Sequence, residues 1–319
     1  MSGSQVLDKP FIQLPFEAAM HSDEFFAPVR TGKNAFWRYF LTVVAIVVAV
    51  LIIGLIAGII YLLINGNINV EQMSPIASLL VNMSIFPAAL FVLFLGVRFL
   101  HQRRFKTLIT PQPKIAWSRM LLSGGLWFLI SALSDVITAL WITPGNYSWS
   151  FNPTSFIPFA ILALILIPIQ TSTEELVFRG YLMQAFSLLT KHTWIPLVLS
   201  AVLFASLHSA NPEIAAYGFG WMIPFYLGMG LILGWITLYT GGLEASLGVH
   251  IANNLYAGLM VTFPSSAIVS PALFTIHTYD AKLSLVTFVI SAALYLALFI
   301  WLNGRQTQVG ASTHIEQAL

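Results

Sequence analysis

An all-α, polytopic membrane helix bundle of about eight transmembrane helices is the fold class this sequence predicts, and three observations predict it. Charged residues make up 8% of the 319-residue chain, and the hydrophobic set AVILMFWYC makes up 58%. A soluble domain carries about 25% charge. The mean hydropathy is +0.84. Apolar runs of span length recur along the chain. Such runs cross a bilayer as helices of about 20 residues, because every backbone N–H and C=O must be satisfied within the segment.

Taken in order, the candidate spans are 38–64, 76–99, 119–141, 155–187, 194–210, 218–240, 243–263 and 283–303. The fourth is long enough to project from the bilayer or bend, and the fifth is short. Three regions result: an N-terminal cytosolic segment 1–35, a membrane domain 36–303 and a C-terminal cytosolic tail 304–319. The first 35 residues mix charges, prolines and polar residues, and the apolar run that follows is too long for a signal-peptide core. The net charge of +2 suggests no nucleic-acid role. With no cysteine, the chain has no disulfide, thiolate metal site or cysteine nucleophile.

Lysine and arginine set the expected orientation. Arg30, Lys33 and Arg38 precede the first span. Arg98, Arg103, Arg104, Lys106, Lys114 and Arg119 crowd the connection between the second and third. An even number of spans separates these clusters, so both fit a cytosolic N-terminus. Lys191 and Arg305 then also fall inside, and only Lys282, beside Asp280, is out of step. The "NGNINVEQMS" and "TPGNYSWSFNPTS" loops fall outside and carry neither lysine nor arginine. Both termini are expected in the cytosol of an integral membrane protein, in a bacterial plasma membrane.

Ionisable groups in spans are costly and mark cavities or partners. Three segments carry them. In "EELVFR", Glu175 and Arg179 are i,i+4 and can pair, while Glu174 lies about 100° away around the axis. One carboxylate can be neutralised and the other can face a different wall. In "FASLH", Phe204 and His208 share a helix face. In "HIANN", His250 and Asn254 point one way and Asn253 another. Singly, each has a plain structural reading: a headgroup-zone salt bridge, an interfacial histidine, an interhelical hydrogen-bond pair. Together they converge. Glu174 lies 17 residues before Lys191 and His208 lies 17 after it, which matches their depths in a hairpin turning there. His250 lies about two turns beyond the "TGG" at 240–242.

Peptide-bond hydrolysis needs an activated water and a stabilised oxyanion. Glu174 with His208 can accept the water proton, and His250 with Asn254 can donate to the oxyanion. A metal variant would take His208, His250 and Glu174 as ligands to a divalent ion such as zinc. There is no HExxH helix, no GxGD motif, no second span aspartate for Asp135, and no GxSx motif to pair Ser246 with His250. Buried Glu and His also suit a proton-coupled transporter. The fourth and seventh spans, however, do not read as a transporter's broken helices.

The order Glu174-Glu175-xxx-Arg179, Phe204-xxx-His208, His250-xxx-Asn254 resembles the type II CAAX prenyl protease family, also called the CPBP intramembrane proteases. "EELVFRGYL" resembles the family's first motif and "GVHIANNL" its last, and the likeness covers roughly 155–263. The resemblance implies a bundle of about eight helices with a catalytic cavity open to the cytosolic side. It implies endopeptidase action on a membrane-associated, in some members prenylated, protein or peptide. Its catalytic positions map to Glu174, His208, His250 and Asn254, and its supporting positions to Glu175 and Arg179. The family carries a metalloprotease label, and a metal-free glutamate mechanism is also proposed for it. Asn254, a poor zinc ligand and a good amide donor, favours the second. Bacteriocin-immunity-like members leave a non-catalytic immunity or adaptor role as the alternative.

Overall fold

The computed structural model describes residues 21–66 and 73–316, with side chains to residue 303. Residues 1–20 of the N-terminal segment, 67–72 of the first loop and the side chains of the tail lie outside the described residues. Eight main helices follow one another: α1 Phe36–Asn65, α2 Pro75–Leu100, α3 Trp117–Ile142, α4 Pro153–Phe186, α5 Trp194–Leu207, α6 Phe219–Thr240, α7 Glu244–Leu259 and α8 Ala281–Glu316. Short helices Ser22–Phe26 and Pro212–Tyr217 lie outside this series. The chain is an integral membrane protein built as a helical bundle.

Local chemistry sets the ends. Ser74 caps α2 by accepting from Ala77 N at 3.2 Å, with Pro75 at the first helical position. Asn152 caps α4 by accepting from Thr154 N at 3.0 Å, again followed by proline. The side-chain oxygen and the proline each deal with a donor that has no intrahelical partner. Gly241, at φ +68, stops α6 in the left-handed region.

The eight expected segments all form helices, but six of them are long and apolar enough to cross a membrane: α1, α2, α3, α4, α6 and the 281–303 part of α8. The expected spans 194–210 and 243–263 differ. The first is a shorter apolar helix. The second is the 16-residue α7, whose first seven residues, Glu244 to His250, are all buried inside the bundle. The polar content that marked this segment belongs to a central helix walled by protein. By contrast, none of the most apolar window of α1 is buried, as a lipid-facing helix requires.

α7 packs closely on α3 through two glycines. A Cβ at Gly248 would stand 2.0 Å from Met120 O, and one at Gly124 would stand 2.6 Å from Gly248 O. Small residues at such a crossing let backbones approach, which is how helices gain contact without a hydrophobic drive between them. Ser123 then donates to Ala245 O at 2.9 Å across the same interface. Trp127, Leu233, Val249, Tyr295 and Phe299 join α3, α6, α7 and α8 in one apolar cluster. Leu79, Phe159, Ala163 and Ile167 join α2 to α4 in another.

One end of the bundle carries a small sheet of order β1-β3-β2. β1 (Tyr147–Trp149) pairs antiparallel with β3 (Phe274–Ile276), which pairs parallel with β2 (Val261–Thr262). It ties the 143–152 loop to the 260–281 loop, two stretches in which the sequence showed no pairing signal. Asn146 reinforces this by donating to Thr278 O at 2.9 Å.

Gly248→Ala is expected to force α3 and α7 apart and lower the thermal unfolding midpoint in detergent. The cost should reach at least the ~1–3 kcal/mol of an overpacked core, because backbone atoms are the obstacle. Gly125→Ala, one position from the crossing with nothing within 4 Å of an added Cβ, should leave the midpoint unchanged or raise it.

Candidate active site

α4 runs through Pro158 and Pro168 and changes character after Glu175, where Leu176–Met183 form a π-helical stretch. Wide turns of this kind recur at functional sites. Gly180 sits in the stretch because a Cβ there would stand 2.9 Å from Leu108 O. The two adjacent glutamates take different environments. Glu175 is fully buried, and its Oε1 accepts from Arg179 Nη1 at 2.6 Å and from His250 Nδ1 at 2.9 Å. Glu174 is 13% exposed and lines a cavity of about 620 Å³.

Arg179 is also fully buried and has further partners. Its Nη2 donates to Gly230 O on α6 at 3.1 Å, and its guanidinium lies 4.6 Å from the Phe204 ring centre on α5. Desolvated, this cation–π contact is worth about 2 kcal/mol.

His208, at the end of α5, also lines the cavity. Its Nδ1 donates to Phe204 O at 2.7 Å, which leaves Nε2 as the acceptor of a neutral ring. The imidazole lies between Phe204, at 4.3 Å between ring centres, and Tyr226, stacked at 4.4 Å. His250, on α7, presents Nε2 at 3.5 Å from Glu174 Oε2. That spacing is beyond a good direct hydrogen bond. Asn254 donates through Nδ2 to Gln170 Oε1 at 3.0 Å and accepts from Asn253 Nδ2 at 3.0 Å. Trp127 Nε1 donates in turn to Asn253 Oδ1 at 3.3 Å. This chain of bonds fixes the amide orientations and leaves the second N–H of Asn254 outside the chain.

Glu174, Phe204, His208, His250 and Asn254 thus meet on one cavity wall, from three helices, α4, α5 and α7, while Glu175 and Arg179 lie behind it. Asn253 departs from the expectation that it points elsewhere, because it shares the wall and braces Asn254. Gln170 and Trp127 were missed. Gln170 precedes Glu174 by one helical turn, a spacing that could have found it. Trp127 lies on a helix with no motif, and only the α3–α7 crossing brings it in. Asp135, unpaired in the sequence, accepts from Tyr256 at 2.8 Å and Tyr147 at 3.1 Å on the same cavity.

The cavity wall extends to Asn146, Tyr147, Glu213, Phe263, Thr278 and Asp280, at the sheet-bearing end. The reason is connectivity: α5 ends at the layer of Glu174, so the 208–218 segment, with the 260–281 segment, walls the space beyond it.

Glu174, His208 and His250 were also weighed as ligands of a divalent metal. Among the described residues, no three His, Asp or Glu side chains stand together as a metal-binding set. Nδ1 of each histidine is committed, to Phe204 O and to Glu175, which leaves Nε2 as the ring nitrogen on the cavity side.

Fold and site together define a polytopic membrane protein with a buried Glu-His-Asn cavity. The profile of the Rce1-like family, type II CAAX prenyl endopeptidase, matches residues 153–256. The uncharacterized protein YyaK of Bacillus subtilis (strain 168) is 36% identical over 264 residues, covering 80% of this chain and 87% of that protein. No solved structure matches. The chain belongs to the Rce1-like family, a protease family.

Arg179→Ala would leave Glu175 buried without its cation, at a cost of about 3–5 kcal/mol. The expected result is loss of folded protein on size-exclusion chromatography. Glu174→Gln, on the cavity side, should change the unfolding midpoint little.

Proposed function

We propose that this protein is an intramembrane endopeptidase that hydrolyses a peptide bond of a membrane-associated polypeptide with water activated by Glu174 and His208. One observation carries the reading. Of two adjacent carboxylates, Glu175 is committed to Arg179 and His250, while Glu174 faces a cavity shared with His208, His250 and Asn254.

In the proposed reaction Glu174 takes a proton from water, with His208 Nε2 as a second acceptor that orients it. The water oxygen bonds to the peptide carbonyl carbon. His250 Nε2, protonated, and the second N–H of Asn254 donate to the oxyanion. Glu175 stabilises the imidazolium through Nδ1, and Gln170 and Asn253 hold the Asn254 amide in place. Collapse breaks the C–N bond, and the proton held by Glu174 passes to the leaving nitrogen. The products are a carboxylic acid and an amine, and the acid's proton then passes to the amine to give a carboxylate and an ammonium. The family name makes a CAAX-type C-terminus the reference substrate, and the low-dielectric wall strengthens each of these interactions.

Glu174→Gln, His208→Ala and His250→Ala should each lower turnover by roughly 10²–10⁴-fold, the share of a positioned acid–base group. The unfolding midpoint of the Glu174 variant should stay at its parent value. Asn254→Ala should cost about 10²–10³-fold in kcat, as loss of one oxyanion donor does. The assay compares membrane peptides from cells with parent or Glu174→Gln protein, by mass spectrometry, for C-terminally shortened products. Identical peptide sets would sink the reading. Chelator treatment should leave activity intact, and activity lost to chelator and restored by zinc would overturn the metal-free route.

A further inference from the structure

Asp135, Glu174, Glu213 and Asp280 line the cavity, and no lysine or arginine does. The oxygens of these carboxylates are used unequally. Both oxygens of Asp135 accept tyrosine hydroxyls, from Tyr147 at 3.1 Å and from Tyr256 at 2.8 Å. Asp280 Oδ1 accepts from Leu283 N at 3.0 Å and so caps α8. Glu174 is the base of the reaction proposed above. Glu213 is left over.

Glu213 lies in the first turn of the short helix Pro212–Tyr217. It is 5% exposed, and its Oε1 accepts from the Tyr226 hydroxyl. Among the described residues, its Oε2 has no hydrogen-bond partner and no cation forms an ion pair with it. Withdrawing a carboxylate from water without a cation is costly. The segment is nevertheless fastened in this position. Asn211 Nδ2 donates to the Tyr226 hydroxyl at 2.8 Å, Tyr217 donates to Pro264 O, and the Tyr217 ring meets that of Tyr279 at 4.7 Å. Tyr226 in turn stacks on the His208 imidazole at 4.4 Å. One tyrosine ring therefore separates the Glu213 carboxylate from the imidazole of the proposed reaction centre.

We propose that Glu213 is a specificity-determining residue whose carboxylate, beside the Tyr226 ring, forms a subsite for the ammonium or guanidinium of a lysine or arginine side chain of the substrate. The place of that side chain in a substrate rests on the hydrolytic reading above; the charge it must carry rests on the cavity wall alone. Extended chain advances ~3.3 Å per residue, so the basic residue falls within about three positions of the bond to be cut. Oε2 accepts a charge-assisted hydrogen bond from the incoming cation. The Tyr226 ring can add a cation–π contact. Asp135 and Asp280 add a field of the same sign, which a low-dielectric cavity concentrates. A neutral residue would leave Oε2 unpaired, and an acidic one would be repelled. A Glu213 that served only to hold Tyr226 would need one acceptor oxygen and no charge, so glutamine would serve equally well.

That difference gives the test. N-myristoylated, dansyl-labelled peptides of alanine and leucine carry a single lysine, acetyl-lysine or glutamate, scanned through the sequence. Affinity for the Glu174→Gln protein in nanodiscs is read by dansyl anisotropy against empty nanodiscs, and cleavage by the parent protein is read by mass spectrometry. At one position, lysine is expected to bind roughly 10–100-fold more tightly than acetyl-lysine, as loss of one hydrogen bond to a charged group predicts, with glutamate weakest. Adding Glu213→Gln should remove that preference while the unfolding midpoint stays near its parent value. If this variant fails to fold, Glu213→Asp, which retracts the charge by one methylene, should reduce the preference. The proposal is overturned if lysine binds no better than acetyl-lysine at every position, if no peptide binds, or if the preference survives in a folded Glu213 variant. A lysine preference without cleavage by the parent protein would refute the hydrolytic reading and leave the subsite standing. Cleavage of all the peptides alike would do the reverse.

Discussion

The buried Glu175–Arg179 pair is the interaction on which the rest of the structure depends. Two charges without solvent cost several kcal/mol each, and their attraction repays this only when the remaining hydrogen-bonding capacity is also used. Here most of it is. Arg179 reaches Glu175 at 2.6 Å on its own helix and Gly230 O on α6, and it lies against the Phe204 ring on α5. Glu175 adds His250 on α7. One ion pair therefore fixes the relative placement of α4, α5 and α7, which bring Glu174, His208, His250 and Asn254 to the cavity, and of α6, which adds Tyr226. It also fixes the His250 ring, because the nitrogen bonded to Glu175 decides which nitrogen turns to the cavity.

A second constraint makes room for the first. α7 is too short and too polar to face lipid, so it must be enclosed. The glycine contact of Gly124 with Gly248 brings α3 close enough to do so, and Ser123 satisfies a carbonyl there. The Thr237 and Ser246 hydroxyls, 2.9 Å apart, hold the other side of α7 to α6. Lipid contact is left to helices such as α1, which bury almost nothing. The bundle thus divides its helices between meeting the membrane and walling the polar centre.

The sequence made the helical class and the converging segments legible because both depend on local pattern. Apolar runs announce helices, and i,i+4 spacing announced the Glu175–Arg179 pair before any coordinate placed it at 2.6 Å. Features that depend on neighbours distant in the chain were not legible. The 243–263 run reads as a span because hydropathy does not distinguish lipid from a protein wall. Asn253 reads as facing away from Asn254 because helix geometry places the Cβ atoms, whereas a side-chain amide can reach back to its neighbour. β1 pairs with β3 across more than a hundred residues and β2 joins β3 in parallel, with no turn signature to announce either. The extent of the cavity wall depends on where α5 stops against α4, which is a packing fact rather than a pattern.

The difference between the two glutamates then follows from physics rather than from motif order. Glu175 Oε1 is occupied by two donors, the Arg179 guanidinium and the His250 imidazole. Among the described residues, Glu174 has one ion-pair partner within 4 Å, His250 Nε2 at 3.5 Å, and its buried Oε2 has no hydrogen-bond partner. Buried polar atoms are nearly always paired, so an unpaired one at a cavity wall calls for an explanation in function. An acceptor held at such a wall, braced from behind by a neutralised pair and faced by two ring nitrogens and an amide, is poised to take a proton from what enters the cavity. The same carboxylate in place of Glu175 could not do so, because its charge already holds four helices together.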